Sequence, residues 1–185
     1  MEQMEQLGEA CLSLYRGKFL ELLKEGRWEY VRRVNASGAV MIVAVTKEGE
    51  LLLVEEYRVP LHARTIGLPA GISGDEGEES TLQSARRELE EETGYRADSW
   101  TYLFAGPSSP GLTTEMVSFY LAEDLHQISA GGVAHENITV HRIPLPQVHD
   151  WLMEQMGQGK VVDPKIFMGL YFLSCCGNGM GQKAS

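Results

Sequence analysis

The chain has 185 residues, with 26 Asp and Glu against 16 Lys and Arg, so its formal net charge at pH 7 is −10. Such an acidic chain is poorly suited to non-specific binding of nucleic acid or anionic membranes, and no apolar run reaches the roughly 18 residues of a membrane-spanning helix. With 43% apolar and 23% charged residues, it has the composition of one soluble domain with at most a small added lobe.

The three cysteines do not suggest a disulfide framework. Cys11 stands alone, whereas Cys175 and Cys176 are adjacent, and an odd count without regular spacing is typical of reduced thiols. The start of the chain also lacks the basic segment followed by an apolar one that an export signal needs. These features predict a cytoplasmic protein that is neither exported nor embedded in a membrane.

The first half of the chain predicts strands. Residues 17–34 predict a hairpin, because the turn-like KEGR separates an apolar segment from the aromatic and β-branched WEYVRRV. Residues 38–46 and 51–59 are apolar and β-branched runs joined by the turn KEGE, so they predict two central strands. The hairpin is too short to enclose a core of its own.

Residues 80–94 predict a helix with both ends marked, since Ser80 is a suitable N-cap and Gly94 suits the left-handed residue after the last turn. Later segments predict three more strands and two helices that open with proline: strands at 100–104, 115–122 and 138–143, helices at 144–156 and 164–176. Because strands dominate and helices are inserted among them, the expected fold class is α+β, a mixed sheet flanked by helices.

One face of the helix over 80–94 concentrates carboxylates. At about 100° per residue, Glu92 lies about 40° and Glu91 about 60° from Glu88, so the three share one arc. Two interpretations remain open at this point: a solvated surface helix, or a site for a hard divalent cation such as Mg²⁺, which binds carboxylate oxygens and bridges to phosphate. An apolar stripe beside this face would press the helix onto the sheet: Leu82, Ala85 and Leu89.

The longer segment GISGDEGEESTLQSARRELEEETGY resembles the Nudix box, in which Gly and Glu precede an Arg-Glu-aliphatic-any-Glu-Glu-any-Gly-aliphatic run. The matching residues are Glu79, Arg87, Glu88, Leu89, Glu91, Glu92 and Gly94, with Tyr95 in the last aliphatic position. Gly71 precedes Glu79 by eight positions, whereas the motif requires six, and Ser73 stands where the motif has Gly. This departure indicates a two-residue insertion in the loop before the helix.

The resemblance extends along most of the chain. EEYR before LPAG, and SPGLTTE after the box, resemble the ADP-ribose pyrophosphatase and nucleoside-diphosphate-sugar hydrolase branch of the Nudix superfamily, in which Pro110 occupies a subgroup position. This implies an α/β/α sandwich with a mixed β-sheet and an N-terminal antiparallel β-lobe. The implied division is a dimerising lobe at 1–36, the hydrolase domain at 37–176 and a flexible tail at 177–185.

The implied reaction is Mg²⁺-dependent hydrolysis of a pyrophosphate bond, with Mn²⁺ as a substitute ion. By the resemblance, Glu88, Glu92 and the backbone carbonyl of Ala70 are metal ligands, and Glu91 lies near them. Arg87 points about 100° away from Glu88 on the helix, so it is better placed to hold Glu79 or Glu91 than to meet substrate.

A catalytic base is expected from a late loop, as in other members of the family. Glu136, just before the strand at 138–143, is the first choice for the base or for a metal ligand completed on loop closure. An exposed loop glutamate without a catalytic role is the alternative. In that case Glu91 becomes the favoured base, while His135 is a weaker competitor.

Substrate contacts are expected from three places. Arg58 in EEYR can fork onto two phosphate oxygens, although a surface ion pair is the alternative. Ser109, Pro110 and Glu115 belong to the SPGLTTE loop, where Glu115 is suited to bond sugar hydroxyls. Trp28 can stack on the base if the N-terminal strands are exchanged between the subunits of a homodimer, as in relatives; otherwise it is a core or interface residue.

Two functions of different classes fit these features. The first is a hydrolase of ADP-ribose or nucleoside-diphosphate sugars, with a small-molecule partner and no nucleic acid or membrane. The second is a non-catalytic sensor that binds such a ligand and regulates a partner. The complete set of helix carboxylates favours the enzyme.

Overall fold

The computed structural model describes residues 10–74, 77, 79–131, 137–176 and 182–183. The N-terminal part forms an antiparallel sheet of three strands in the order β1-β2-β3: β1 (Leu12–Arg16), β2 (Leu20–Glu25) and β3 (Trp28–Arg33). Strands β2 and β3 are the predicted hairpin, and Gly26 supplies the left-handed turn conformation at φ 56°.

The remaining elements build two further sheets with three helices. In chain order they are β4 (Gly38–Ala44), β5 (Glu50–Arg58), β6 (Ala63–Gly67), β7 (Ala70–Ser73), α1 (Thr81–Thr93), β8 (Tyr95–Pro107), β9 (Met116–Gln127), β10 (Thr139–Pro144), α2 (Val148–Gly157), β11 (Val161–Val162), α3 (Lys165–Cys176) and β12 (Gln182–Lys183). Short 3₁₀ turns occupy Val59–Leu61 and Leu145–Gln147.

The two sheets are mixed. One has the order β12-β8-β9-β4-β7 with β4 and β9 parallel, and the other has the order β10-β5-β6-β11 with β6 and β11 parallel. Neighbouring strands are otherwise antiparallel. The predicted mixed sheet is therefore confirmed.

Alternate residues of the central strands face two separate apolar clusters. Val40 and Ile42 of β4 are buried with the apolar stripe of α1, formed by Leu82, Ala85 and Leu89. Val43, the residue after Ile42, belongs instead to a cluster that contains Val148 and Leu152 of α2 and Ile166 of α3. Since successive strand residues point to opposite faces, α1 covers one face and α2 with α3 the other, which confirms the α/β/α sandwich.

Strands β6 and β7 were not predicted. They are short, and Gly67, Pro69 and Gly71 interrupt any alternating pattern around them, so pairing with β5 and β4 decides their conformation. Of the predicted tail at 177–185, only residues 182 and 183 belong to the described part of the chain. Within the described residues, no helix is long and apolar enough to cross a membrane.

A buried ionic cluster joins β5, β6 and β10. The Glu55 carboxylate, with 6% of its side chain exposed, accepts hydrogen bonds from Arg64 Nε at 2.6 Å, Lys160 Nζ at 2.8 Å and His141 Nε2 at 2.9 Å. Burial by itself would raise the pKa of Glu55, but these three donors outweigh it and lower the pKa to about 2. The cluster thus fastens three strands through one side chain.

Glu55→Gln is expected to lower the free energy of unfolding by about 2–3 kcal/mol at pH 7, because it leaves Arg64 and Lys160 without their carboxylate. The stabilisation from Glu55 is present above pH about 4.5 and is lost as the pH falls towards 2, since the native pKa lies below the unfolded one. Denaturant unfolding between pH 2 and 7 checks both points. Glu50→Gln, on the same strand as Glu55, breaks an exposed ion pair with Arg142 of β10 and should cost less than about 1 kcal/mol; equal losses would contradict the prediction.

Candidate active site

Helix α1 is held in a defined position by both of its ends. Ser80 accepts a hydrogen bond from Gln83 N while Gln83 Oε1 accepts one from Ser80 N, which forms a capping box. Gly94 ends the helix at φ 73°, and its N–H bonds to the Glu90 carbonyl. The predicted caps are therefore confirmed, while the burial of Leu82, Ala85 and Leu89 sets the rotation of the helix.

Glu92 is the most buried carboxylate of α1. Only 5% of the residue is exposed, and one of its oxygens accepts a hydrogen bond from Ala70 N at 2.9 Å. Burial, reinforced by the nearby charges of Glu88 and Glu56, raises the pKa of Glu92 to about 8 despite the hydrogen bond from Ala70 N and the charge of Arg58. A cation bound beside such a carboxylate would stabilise its charged form.

Glu88 lies one turn earlier and presses against β7 at Gly71. A Cβ atom built on Gly71 would stand 1.9 Å from the Glu88 carboxyl carbon and 2.1 Å from its nearer oxygen. A side chain at position 71 would therefore displace the carboxylate, so only glycine allows this approach. Gly71 is thus the glycine of the loop that lies against the helix. Ser73, which stands in the motif's Gly position, is buried and accepts a hydrogen bond from Ser84 Oγ at 2.9 Å.

Arg87 links the acidic residues around it. Its terminal nitrogens contact Glu88 Oε1 at 2.8 Å, Glu91 Oε2 at 3.2 Å, Glu79 Oε1 at 3.2 Å and the Ile72 carbonyl at 3.3 Å. Burial would lower the pKa of Arg87, but the surrounding carboxylates outweigh it and raise that pKa, while Arg87 helps to lower the pKa of Glu79. The predicted contacts with Glu79 and Glu91 are present, and the added contact with Glu88 lowers the repulsion on the acidic face.

The donor groups fit a divalent cation that keeps part of its shell as water or phosphate. Within the described residues, no three His, Cys, Asp or Glu side chains converge as a closed protein cage would require. Mg²⁺ is commonly held by one or two carboxylates together with waters and substrate phosphates. The largely covered Glu88 and the buried Glu92 supply such a pair where β7 meets α1, and Ala70 N donates a hydrogen bond to Glu92.

Strand β5 brings a cation and a further carboxylate to the same place. Arg58, which is 51% exposed at its side chain, forms an ion pair with Glu56, and both charges act on Glu92. Glu56 was not predicted as a site residue. The signal was present, because residues two apart on a strand share a face and EEYR therefore places Glu56 beside Arg58.

The loop between β8 and β9 is tied to the N-terminal sheet. Val31 N donates to the Leu112 carbonyl at 2.8 Å, and Arg33 Nε donates to the Glu115 carboxylate. Glu115 thus has one oxygen engaged by Arg33, a residue that sequence reasoning missed because β3 and this loop are far apart in the chain. Ser109 closes a turn by accepting Leu112 N at 3.0 Å, and Pro110 is exposed beside it.

Trp28 and Glu136 are the two predicted site residues that do not lie with the others among the described residues of the site. Trp28 begins β3 and is 58% exposed, so it is not a core residue of its own chain. Glu136 and its competitor His135 lie outside the described residues. Earlier in the chain, Ile128 N donates a hydrogen bond to Gly94 O at the end of α1 at 2.8 Å.

Known proteins resemble this chain over most of its length. A family model described as the NUDIX domain matches residues 36–162. The ADP-ribose pyrophosphatase of Bacillus subtilis (strain 168) is 37% identical over 131 residues, which cover 68% of this chain and 70% of that protein. The GDP-mannose pyrophosphatase of Yersinia pestis (strain Pestoides F) is 30% identical over 182 residues, which cover 92% and 88%.

A solved structure agrees with these matches. The crystal structure of an ADP compounds hydrolase superposes with a TM-score of 0.71 at 25% identity and covers 94% of this chain and 95% of its own. The superposition therefore extends to the N-terminal sheet as well as to α1 and the strands around it.

Proposed function

The chain belongs to the Nudix family, and we propose that it hydrolyses the pyrophosphate bond of ADP-ribose or of a related nucleoside-diphosphate sugar. Water adds across one P–O bond of the phosphate bridge, and the products are a nucleoside monophosphate and a sugar phosphate. The ADP-ribose and GDP-mannose pyrophosphatases among its relatives act on substrates that share a nucleoside diphosphate joined to a sugar.

The low exposure of two carboxylates of α1 is the main support for this proposal. Glu92 is buried and Glu88 is largely covered at the junction of α1 with β7, with Gly71 leaving room for the Glu88 carboxylate and Ala70 N bonded to that of Glu92. A solvated surface helix would expose these side chains, whereas 13% of the Glu88 side chain and 5% of Glu92 are exposed. Burying two like charges costs free energy, so a role with a bound cation accounts for their retention.

Hydrolases of this family generally use a divalent metal ion, and we assign that ion as Mg²⁺, with Mn²⁺ able to replace it. Glu88, Glu92 and the carbonyl of Ala70 would hold it, with Glu91 close by. When bound, such an ion neutralises phosphate charge and makes a coordinated water more acidic. Arg87 keeps Glu88 and Glu91 in position, and Glu79 fixes Arg87 in turn.

The substrate would be bound by groups around this pair of carboxylates. Arg58 extends from β5 with half of its side chain exposed, so its guanidinium is accessible to two phosphate oxygens. The loop with Ser109, Pro110 and Glu115 would face the sugar, and Arg33 orients the Glu115 carboxylate for that contact.

The proposed base remains Glu136. Ser129 N, just after β9, bonds to Gly94 O at the end of α1, and the carbonyl of Asn137 accepts a hydrogen bond from Arg64 Nη2 at 3.4 Å. Glu136 stands in the sequence just before β10, where the family resemblance implies the base.

Glu136→Gln is expected to lower kcat by about 10²-fold, the usual contribution of a general base, and to raise KM much less. Steady-state kinetics with ADP-ribose and Mg²⁺ measure both constants. Glu123→Gln, on β9 and outside the site, serves as the control. An unchanged kcat would remove Glu136 from the mechanism and leave Glu91 as the base.

The N-terminal sheet supports a homodimer with exchanged strands. Apolar side chains are exposed along it: Leu12, Leu14, Tyr15, Phe19, Leu20 and Trp28. Three strands with this much exposed apolar surface favour burial against another protein surface, and an isologous contact would bring Trp28 to the partner's base-binding pocket. The cytoplasm is the proposed compartment, in keeping with the free thiols of Cys11 and Cys175.

A substrate panel tests the proposed function. ADP-ribose, GDP-mannose, UDP-glucose, NADH and diadenosine polyphosphates are incubated with the protein and Mg²⁺, and a phosphatase releases phosphate from the products. Release from ADP-ribose or a nucleotide sugar is the expected result. Tight binding of such a ligand without release would favour the non-catalytic sensor instead.

A further inference from the structure

Glu56 is a carboxylate of the site region that the reaction as described above does not use. It lies on β5 two residues before Arg58, so the two side chains leave the strand on the same face. Only 17% of the Glu56 side chain is exposed, and its Oε1 contacts Arg58 Nη2. The guanidinium of a half-exposed arginine is therefore held at one terminal nitrogen by a largely buried partner.

The pair stands next to the acidic face of α1. Helix α1 packs against β5 in the fold. Glu56 and Arg58 therefore stand on a strand that contacts the helix carrying Glu88 and Glu92.

We infer that Glu56 is a positioning residue that holds the Arg58 guanidinium in the orientation needed to receive the pyrophosphate of the substrate. A guanidinium has five N–H donors, and the contact with Glu56 uses one terminal nitrogen, so donors remain for phosphate oxygens. A free arginine side chain loses rotamer entropy when it is fixed, and a partner that fixes it beforehand removes part of that cost from binding.

This inference rests on the proposed function for the identity of the ligand and for the role of Arg58. It also requires something that the proposed function does not: replacing Glu56 must affect ligand binding only when Arg58 is present. Inorganic pyrophosphate with Mg²⁺ is a suitable probe, because its binding can be measured without turnover.

The test is a double-mutant cycle on Glu56→Gln and Arg58→Gln, read by calorimetric affinity for inorganic pyrophosphate and by kcat and KM for ADP-ribose. Glu56→Gln should weaken pyrophosphate binding and raise KM about three- to tenfold, with kcat changed less than about twofold. This pattern is expected when the ground state and the transition state lose the same binding interaction. In the Arg58→Gln background the same change should have no further effect. Glu50→Gln, which breaks the ion pair between Glu50 of β5 and Arg142 of β10, should leave both measurements unchanged.

Glu56→Asp separates orientation from charge. It keeps a negative charge near Glu92 but shortens the side chain, so it should behave like Glu56→Gln if contact with Arg58 is what matters. Melting temperatures of all variants show whether each one is folded. If Glu56→Gln fails to fold, pyrophosphate affinity and KM are measured on Glu56→Asp instead.

Three results would overturn the inference: an unchanged pyrophosphate affinity in Glu56→Gln, an equal effect of Glu56→Gln with and without Arg58, or wild-type behaviour of Glu56→Asp. Failure of the proposed function would look different, since the wild-type protein would then release no product from any nucleotide sugar. Even so, a loss of pyrophosphate affinity that depends on Arg58 would still support the role of Glu56.

Discussion

Replacing Glu92 by glutamine is expected to lower kcat by a factor of about 10²–10³ at saturating Mg²⁺, the size of effect produced by removing a group that stabilises transition-state charge. The change is isosteric, so the fold should be kept, and the new amide oxygen could still accept the hydrogen bond from Ala70 N. Steady-state hydrolysis of ADP-ribose measures the loss. Glu90→Gln is the matched control, because Glu90 lies on the far side of α1 and pairs with Arg96 at 2.7 Å.

The same substitution should raise the melting temperature of the metal-free protein in a pH-dependent way. The unfolded chain loses the Glu92 proton near pH 4.5, whereas the native pKa is about 8, so the native state binds more protons between these values. Stability therefore falls as the pH rises from about 4.5 to 8, and Glu92→Gln abolishes this fall. Turnover close to that of the wild type, or a melting temperature lower at pH 8 than that of the wild type, would contradict the assignment of Glu92.

Deleting residues 1–35 is expected to abolish both the dimer and the activity. These residues include the whole exposed apolar sheet and Trp28, so the deletion removes the proposed interface together with a residue of the partner's pocket. Sedimentation or light scattering at micromolar concentration measures assembly, and hydrolysis of ADP-ribose measures activity. A fully active wild-type monomer at that concentration would disprove the exchange.

Subunit mixing gives a sharper test of the exchange. Trp28→Ala should impair binding at the partner's site, while Glu92→Gln inactivates the site of its own chain. If Trp28 crosses to the partner, a mixed dimer of the two variants contains one site with both residues intact, and activity should return on mixing towards about a quarter of the wild-type level, the value for random pairing of two chains. Mixing without any recovery would place Trp28 at its own chain's site or outside the sites altogether.

Local signals in the sequence were sufficient for the ends and the faces of helix α1. Ser80 and Gly94 mark its ends, and the period of 3.6 residues puts Glu88, Glu91 and Glu92 on one side of an apolar stripe. These properties depend on residues within one helix, so spacing alone determines them. The resemblance then supplied the family, which the comparisons confirm.

Only the tertiary structure decided which partners meet these carboxylates. The contact of Glu88 with Gly71, the hydrogen bond from Ala70 N to Glu92 and the ion pair of Glu56 with Arg58 depend on how β5, β7 and α1 pack together. The same is true of Glu55, whose three donors come from separate parts of the chain. A periodic pattern specifies the face on which a side chain lies, but the distance to a residue on another element depends on strand pairing and helix packing, and those contacts also set the pKa of a buried carboxylate.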